Sequence, residues 1–127
     1  MNDRFRFRAK RIDNNEFAYG FLCFIFRDVC RIYCTEEDKF YDCATKTLGQ
    51  CTGLKDKNGR LIYEGDIVRR TRNTDRATVN LQIEWNQRSG RYLTTDAKHR
   101  DWNFSMLSYD YEVLGNIHEN PELLEDK

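Results

Sequence analysis

The sequence predicts a mostly β protein, a β-hairpin-rich N-terminal part followed by a small barrel, and three observations carry this. Aromatic residues reach 13% of the 127 positions against a modest 39% hydrophobic share, so Phe, Tyr and Trp must supply much of the core volume, and they fit pleated, half-buried surfaces. Strict alternation of apolar and polar residues recurs over 4–10 and 78–85, which is the period of a strand. No segment sustains the period of a long helix.

Residues 4–10 place Phe5, Phe7 and Ala9 on one face and Arg4, Arg6, Arg8 and Lys10 on the other, so they read as a strand covered on one side. Asp13-Asn14-Asn15 tolerates left-handed backbone and turns the chain into the unbroken apolar run 17–26, expected as a strand buried on both faces. Residues 29–34 and 39–43, separated by Thr35-Glu36-Glu37-Asp38, predict a second hairpin.

Between 45 and 65 four glycines stand among polar residues, a turn-rich passage that sets the expected boundary between residues 1–52 and 53–127. Asn58-Gly59 is the strongest turn dipeptide in the chain. Residues 66–70 open the second part, and Val79, Leu81, Ile83 and Trp85 then alternate with Thr78, Asn80, Gln82 and Glu84. Strands at 91–94, 102–107 and 111–117 follow with the spacing of small barrels. Asn120-Pro121 before Glu-Leu-Leu-Glu predicts a short C-terminal helix, with Asn120 as N-cap.

Composition limits the function. Lys plus Arg and Asp plus Glu number 21 each, so the net charge is zero and any electrostatic attraction must be local. The longest uncharged stretch, 17–26, is about half of a bilayer-spanning helix. Asp13 and Glu16 before it and Arg27-Asp28 after it do not fit a signal peptide, so no membrane and a cytoplasmic address are the expectation. Cysteines at 23, 30, 34, 43 and 51 are odd in number, which argues against a disulfide framework. Cys30-x3-Cys34 with His99 or His118 could in principle contribute to a tetrahedral zinc site, but no CxxC knuckle is present and Cys23 lies in an apolar run. Structural thiols, no metal and no cofactor are therefore expected.

Three blocks carry a resemblance. The first is Phe5-Arg6-Phe7-Arg8-Ala9-Lys10-Arg11-Ile12-Asp13-Asn14 with Tyr19-Gly20 behind it. The second runs from Gly49-Gln50-Cys51-Thr52-Gly53-Leu54-Lys55-Asp56-Lys57-Asn58-Gly59 on through Ile62-Tyr63-Glu64-Gly65-Asp66-Ile67-Val68. The third is Tyr111-Glu112-Val113-Leu114-Gly115-Asn116-Ile117-His118-Glu119-Asn120-Pro121-Glu122-Leu123-Leu124. In this order they resemble the YopX family, proteins carried mainly by bacteriophages, prophages and related mobile elements. The resemblance implies an SH3-like barrel in the C-terminal part, a β-rich N-terminal part, a bacterial host and no established activity. Residues 27–43 and 70–108 match nothing as specific, and Cys51 stands where relatives more often carry an aromatic residue.

Glu64-Gly65-Asp66 invites an acid–base reading, but an Asp beside a turn glycine at a strand entrance also serves as a corner that bonds backbone N–H groups. Residues 55–60 lack the GxxxxGK[ST] pattern of a phosphate cradle and read as a hairpin turn. No serine lies in a nucleophile elbow, and two histidines make a hydrolase triad a poor fit, so no catalytic residue is expected. The basic cluster Arg69, Arg70, Arg72 and Arg76, with Trp85, Tyr92 and Trp102 as stacking faces, is the one candidate binding site, for nucleic acid. Against it stands the reading in which the arginines solvate a loop and the aromatics fill the core.

The leading expectation is a non-enzymatic accessory protein that self-assembles into a homo-oligomer or binds a phage or host protein, because the apolar strand 17–26 needs cover. A nucleic-acid-binding barrel using the 69–76 arginines is the alternative, and an enzyme of unrecognised type the third.

Overall fold

The computed structural model describes residues 3–107 and 109–125. The chain divides into two compact units, Met1–Gly53 and Leu54–Lys127. Antiparallel strands dominate both, as the alternation requires. Among the described residues no helix is long and apolar enough to cross a membrane.

The first unit is built from β1 (Phe7–Lys10), β2 (Phe17–Phe26), β3 (Val29–Cys34), β4 (Lys39–Ala44) and the greater part of β5 (Gly49–Lys55), which stand in the order β4-β3-β2-β1-β5 in a sheet of six strands. The Asp13-Asn14-Asn15 turn does join β1 to β2, with Asn15 at φ 60°, and β3 pairs β4 in unbroken register. Ala9, Ala18, Cys30, Ile32 and Cys43 form the buried centre, with Phe7, Leu22, Tyr41 and Leu48 packed around it. Gly20 is obligatory, because a Cβ there would lie 1.9 Å from the carbonyl oxygen of Tyr33. The outer edge of β4 is partly covered: Arg11 bridges Cys43, and Ile12 N–H donates to the Asp42 carbonyl at 3.0 Å.

Two expectations change here. β1 is covered on both faces, with Arg8 at 5% and Lys10 at 8% exposure. Both cations lie over the ring of Phe17, at 4.7 and 5.5 Å from its centre, so an aromatic face takes the place of part of the lost water. Conversely, β2 is buried only in its first half, and Phe24, Ile25 and Phe26 are exposed. The cause is pairing. β1 reaches only residues 17–20 of β2, so the far end has β3 alone beside it, and a bulge between Leu22 and Phe24 twists it further.

The second unit contains β6 (Leu61–Tyr63), β7 (Asp66–Arg72), β8 (Thr78–Asn86), β9 (Arg91–Thr95), β10 (Asp101–Asn103) and β11 (Tyr109–Asn116). The last five form one sheet in the order β10-β9-β8-β7-β11. Ile62, Val68, Leu81, Ile83, Tyr111 and Val113 make its core, flanked by Tyr92, Phe104 and Tyr109. The expected barrel is not closed. β10 has three residues, all exposed, and pairs only with β9, while β11 returns to the opposite margin beside β7, so no backbone pairing joins the two margins of the sheet. The predicted terminal helix is a single 3-10 turn, Pro121–Leu124. Asn120 does not cap it; its Oδ1 accepts the backbone N–H of Asn116 at 3.3 Å instead.

Candidate functional site

Glu64-Gly65-Asp66 is a structural corner. Gly65 has φ 89°, and the buried Asp66 carboxylate accepts the Tyr63 N–H at 2.7 Å. Among the described residues no group of three or more His, Cys, Asp and Glu has the proximity to hold a metal ion. Cys30 and Cys43 face each other across β3 and β4, both fully buried. Burial, and then the neighbouring Cys30, push the Cys43 thiol up to about 12.

The arginine cluster does not form one patch. Successive residues of β7 point to opposite faces, which separates Arg69 from Arg70 and Arg72. Arg69 is exposed and lies 3.4 Å from Glu112, its cross-strand neighbour, with Lys57 Nζ 3.9 Å from the same carboxylate. Arg72 pairs with Asp75 at 3.1 Å, and Arg76, in the turn at φ 60°, with Asp110 at 3.4 Å. Trp85 is exposed and stands edge-on to Tyr92, ring centres 5.0 Å apart.

Arg70 differs from the other three. It is 8% exposed, and its guanidinium lies 4.2 Å from the ring centre of Tyr109 and 5.7 Å from that of Trp102. Trp102, 42% exposed, donates its indole N–H to Asp96 Oδ2 at 3.1 Å, and Arg100 Nε donates to the same oxygen at 2.8 Å. Asp96 Oδ1 accepts the backbone N–H groups of Lys98 and Arg100 at 2.9 and 3.0 Å. Burial alone would raise the Asp96 carboxyl, but these donors outweigh it and hold the group far below the usual carboxylate range.

Arg70, Arg72 and Trp102 thus meet around one cleft of about 140 Å³, completed by Ala77, Thr78, Val79, Asp96 and Arg100. Arg69, Arg76 and Trp85 do not line it. Sequence reasoning passed over Asp96 and Arg100. Their signal was available: an Asp followed four residues later by a basic residue, in a turn-forming stretch, is the pattern of a carboxylate that closes its own loop.

A second surface belongs to the first unit. Phe24, Phe26, Tyr33 and Phe40 share one face of β2, β3 and β4, with Phe26 67% and Phe40 61% exposed. Tyr33 and Phe40 stack with ring centres 4.9 Å apart, and an Arg31–Asp42 ion pair of 2.9 Å borders them.

Comparison with known proteins bears on the family and the fold. The chain is similar over 94% of its length to the crystal structure of protein EF1440 from Enterococcus faecalis, of which it covers 97%, at 27% identity and a TM-score of 0.58. It is also similar over 98% of its length to the structure of protein yopX from Bacillus subtilis, covered in full, at 21% identity and a TM-score of 0.60. No curated protein matches it. The sequence pattern of the family described as YopX protein matches residues 6–125, and the chain therefore belongs to the YopX family.

Proposed function

We propose that this YopX-family chain is a non-enzymatic accessory module of phage or prophage origin that works by self-association, with residues 1–52 supplying the contact surface. The observation that carries this is the aromatic face of Phe24, Phe26, Tyr33 and Phe40, in which Phe26 and Phe40 are more than half exposed. Contiguous exposed apolar side chains rimmed by charge mark association surfaces. The rim favours a second copy of the chain as occupant. Arg27 over the Phe26 ring, Arg31 over the Phe24 ring and Asp42, paired with Arg31, present both signs of charge, so a twofold-related copy can set Arg27 of one copy against the Asp42 carboxylate of the other. A net charge of zero leaves no general repulsion between copies. Light scattering after size exclusion tests it: the wild type is expected as an oligomer, and a Phe26→Asp, Phe40→Asp variant as a folded monomer. A concentration-independent wild-type monomer overturns self-association and transfers the face to a phage or host protein partner.

A second reading, a nucleic-acid-binding module using Arg69, Arg70, Arg72, Arg76, Trp85 and Trp102, is supported by one feature, the half-exposed Trp102 ring beside Arg70.

A further inference from the structure

We propose that the cleft beside Trp102 is a seat for the phosphoryl group of a small phosphate monoester, gripped by Arg70. The inference needs neither a second copy of the chain nor a nucleic-acid strand. Arg70 is more than nine-tenths buried as a residue, always charged and carries five N–H donors; among the described residues no carboxylate lies within ion-pair distance and no acceptor takes a hydrogen bond from it, and its guanidinium nitrogens still reach solvent. Among the described residues its guanidinium lies against the rings of Tyr109 and Trp102, with Tyr111 as its cross-strand neighbour. Such contacts hold a guanidinium flat and in place but do not use the N–H groups along its edge. A planar fork with free edges, fixed by aromatic faces, is suited to bidentate capture of an oxyanion.

Charge selects the anion. Three guanidinium groups, those of Arg70, Arg72 and Arg100, line the cleft; Arg100 is paired with Asp96 and Arg72 with Asp75, so among the described residues Arg70 is the cation of the cleft without an acidic partner. Both Asp96 oxygens are already engaged by four N–H donors, so the carboxylate repels an incoming anion less than a bare one would. A phosphate monoester, with close to two negative charges at neutral pH and three terminal oxygens, can take the Arg70 fork bidentately and still offer an oxygen to Arg72, which a carboxylate cannot do at once. Size selects the ester. The cleft shares Thr78, Val79, Asp96 and Arg100 with an adjoining groove of about 460 Å³, within the range of small-molecule sites. The phosphoryl group occupies the small cleft and the organic body of the ligand the groove, against the side chain of Val79.

The test is a thermal-shift and calorimetric titration of the full chain with inorganic phosphate, a nucleoside 5′-monophosphate, the unphosphorylated nucleoside, acetate, and a short oligothymidylate with and without a 5′-phosphate. Saturable stabilisation by phosphate and the monophosphate is expected, with none from the nucleoside or acetate. Arg70→Met is expected to abolish it, Arg70→Lys to weaken it about tenfold or more because an ammonium cannot form the fork, and Arg72→Gln to weaken it several-fold. Binding of the oligothymidylate only when it bears the terminal phosphate identifies a strand end as the source, whereas preference for the monophosphate identifies a free small molecule; either supports the seat. Absence of saturable binding up to about 10 mM overturns it. So does wild-type affinity in a folded Arg70→Met or, should that variant not fold, in both Arg70→Lys and Arg72→Gln. Oligothymidylate binding that ignores the 5′-phosphate and survives Arg70→Lys also overturns the seat, while leaving the strand-binding reading intact.

Discussion

The Asp56 carboxylate accepts the backbone N–H of Val113 at 2.9 Å, across 57 positions of chain. Its other oxygen accepts the N–H groups of Asn58 and Arg60, each at 2.9 Å, and Lys57 N–H donates to the Tyr111 carbonyl at 2.9 Å. The hairpin turn at 56–60 is thereby fastened to the middle of β11. These segments belong to two of the three blocks that carry the family resemblance, so the long central block is an architectural element. Asp56 is the buried group on which three backbone donors depend.

Replacing Asp56 should therefore be costly. Asp56→Ala leaves three amides without their acceptor, and with roughly 1–3 kcal/mol per buried donor left unpaired, partly relieved by water, a loss of about 3 kcal/mol is expected. In a chain of this size that lowers the melting temperature by about 10 °C. Asp56→Asn keeps one accepting oxygen but turns an NH2 toward the donors on the other side, and should lose about half as much. Denaturant unfolding of both variants decides; a loss below about 1 kcal/mol for the alanine variant contradicts the role.

The same carboxylate makes stability fall in acid. Burial raises the Asp56 carboxyl, but the amides of Val113, Arg60 and Asn58 outweigh it and the net shift is downward from 3.8. A depressed folded value means that the unfolded chain takes up the proton first. The stabilisation is therefore fully present above the unfolded value of about 3.9 and is lost as pH falls through the folded one. The gap in melting temperature between wild type and Asp56→Asn should be constant from about pH 7 to 5 and shrink below about pH 4. A gap that stays unchanged at about pH 3 removes Asp56 from the acid response.

Turns and most strand periods were legible in the sequence, and neighbours were not; the alternation over 4–10 is strand only from Phe7, after a 3-10 turn at Asp3–Phe5, and the strand expected over 102–107 is confined to Asp101–Asn103. Asn15 and Gly59 take the positive φ expected of their turns, and the alternation over 78–85 is realised as β8 (Thr78–Asn86). Alternation, however, reports faces and not what lies against them. Arg8 and Lys10 look solvent-facing until Phe17 is paired across from Lys10, and the apolar run of β2 looks buried until β1 stops at Phe17–Gly20. The cleft shows the same limit. Arg70 meets Tyr109 because β11 returns beside β7, and meets Trp102, three strands away in the sheet order, because the sheet curls. Residues 102 and 109 are more than thirty positions away, and no local pattern records that closure.

Thiol reactivity should report the packing of the first unit. Cys23 is exposed, whereas Cys30, Cys34, Cys43 and Cys51 are buried. Burial raises the Cys30 thiol and pushes Cys43 up to about 12, so at neutral pH neither carries appreciable thiolate, the reactive form. Native alkylation near pH 7.5, followed by mass spectrometry, is expected to give one fast adduct, on Cys23, and all five only after denaturation. Fast labelling of Cys43 would show that β3 and β4 open readily. A chelator is expected to leave the melting temperature unchanged, because the thiols act as apolar packing groups.

The strand-binding reading makes a sharper demand now that the arginines are placed. Arg69 lies on the opposite face of β7 from Arg70 and Arg72 and beside Glu112, so a strand tracking past Trp102 can engage Arg70, Arg72 and Arg76 but not Arg69. Three phosphate contacts on a single strand give a slope of roughly −2 in log K against log salt. Removal of Arg72 and Arg76 together should reduce that slope to less than half, and removal of Arg69 should leave it unchanged. Arg72 and Arg76 are also paired with Asp75 and Asp110, so binding requires these acids to be displaced, and Asp110→Asn should strengthen it. Stacking on Trp102 would add a salt-insensitive part of roughly 1–3 kcal/mol per base, lost in Trp102→Ala. Fluorescence anisotropy with labelled single-stranded oligonucleotides from low to physiological salt measures all of these. Equal slopes in wild type and the Arg72, Arg76 double variant, or no binding at low salt, would remove nucleic acid as a ligand and leave self-association as the reading to pursue.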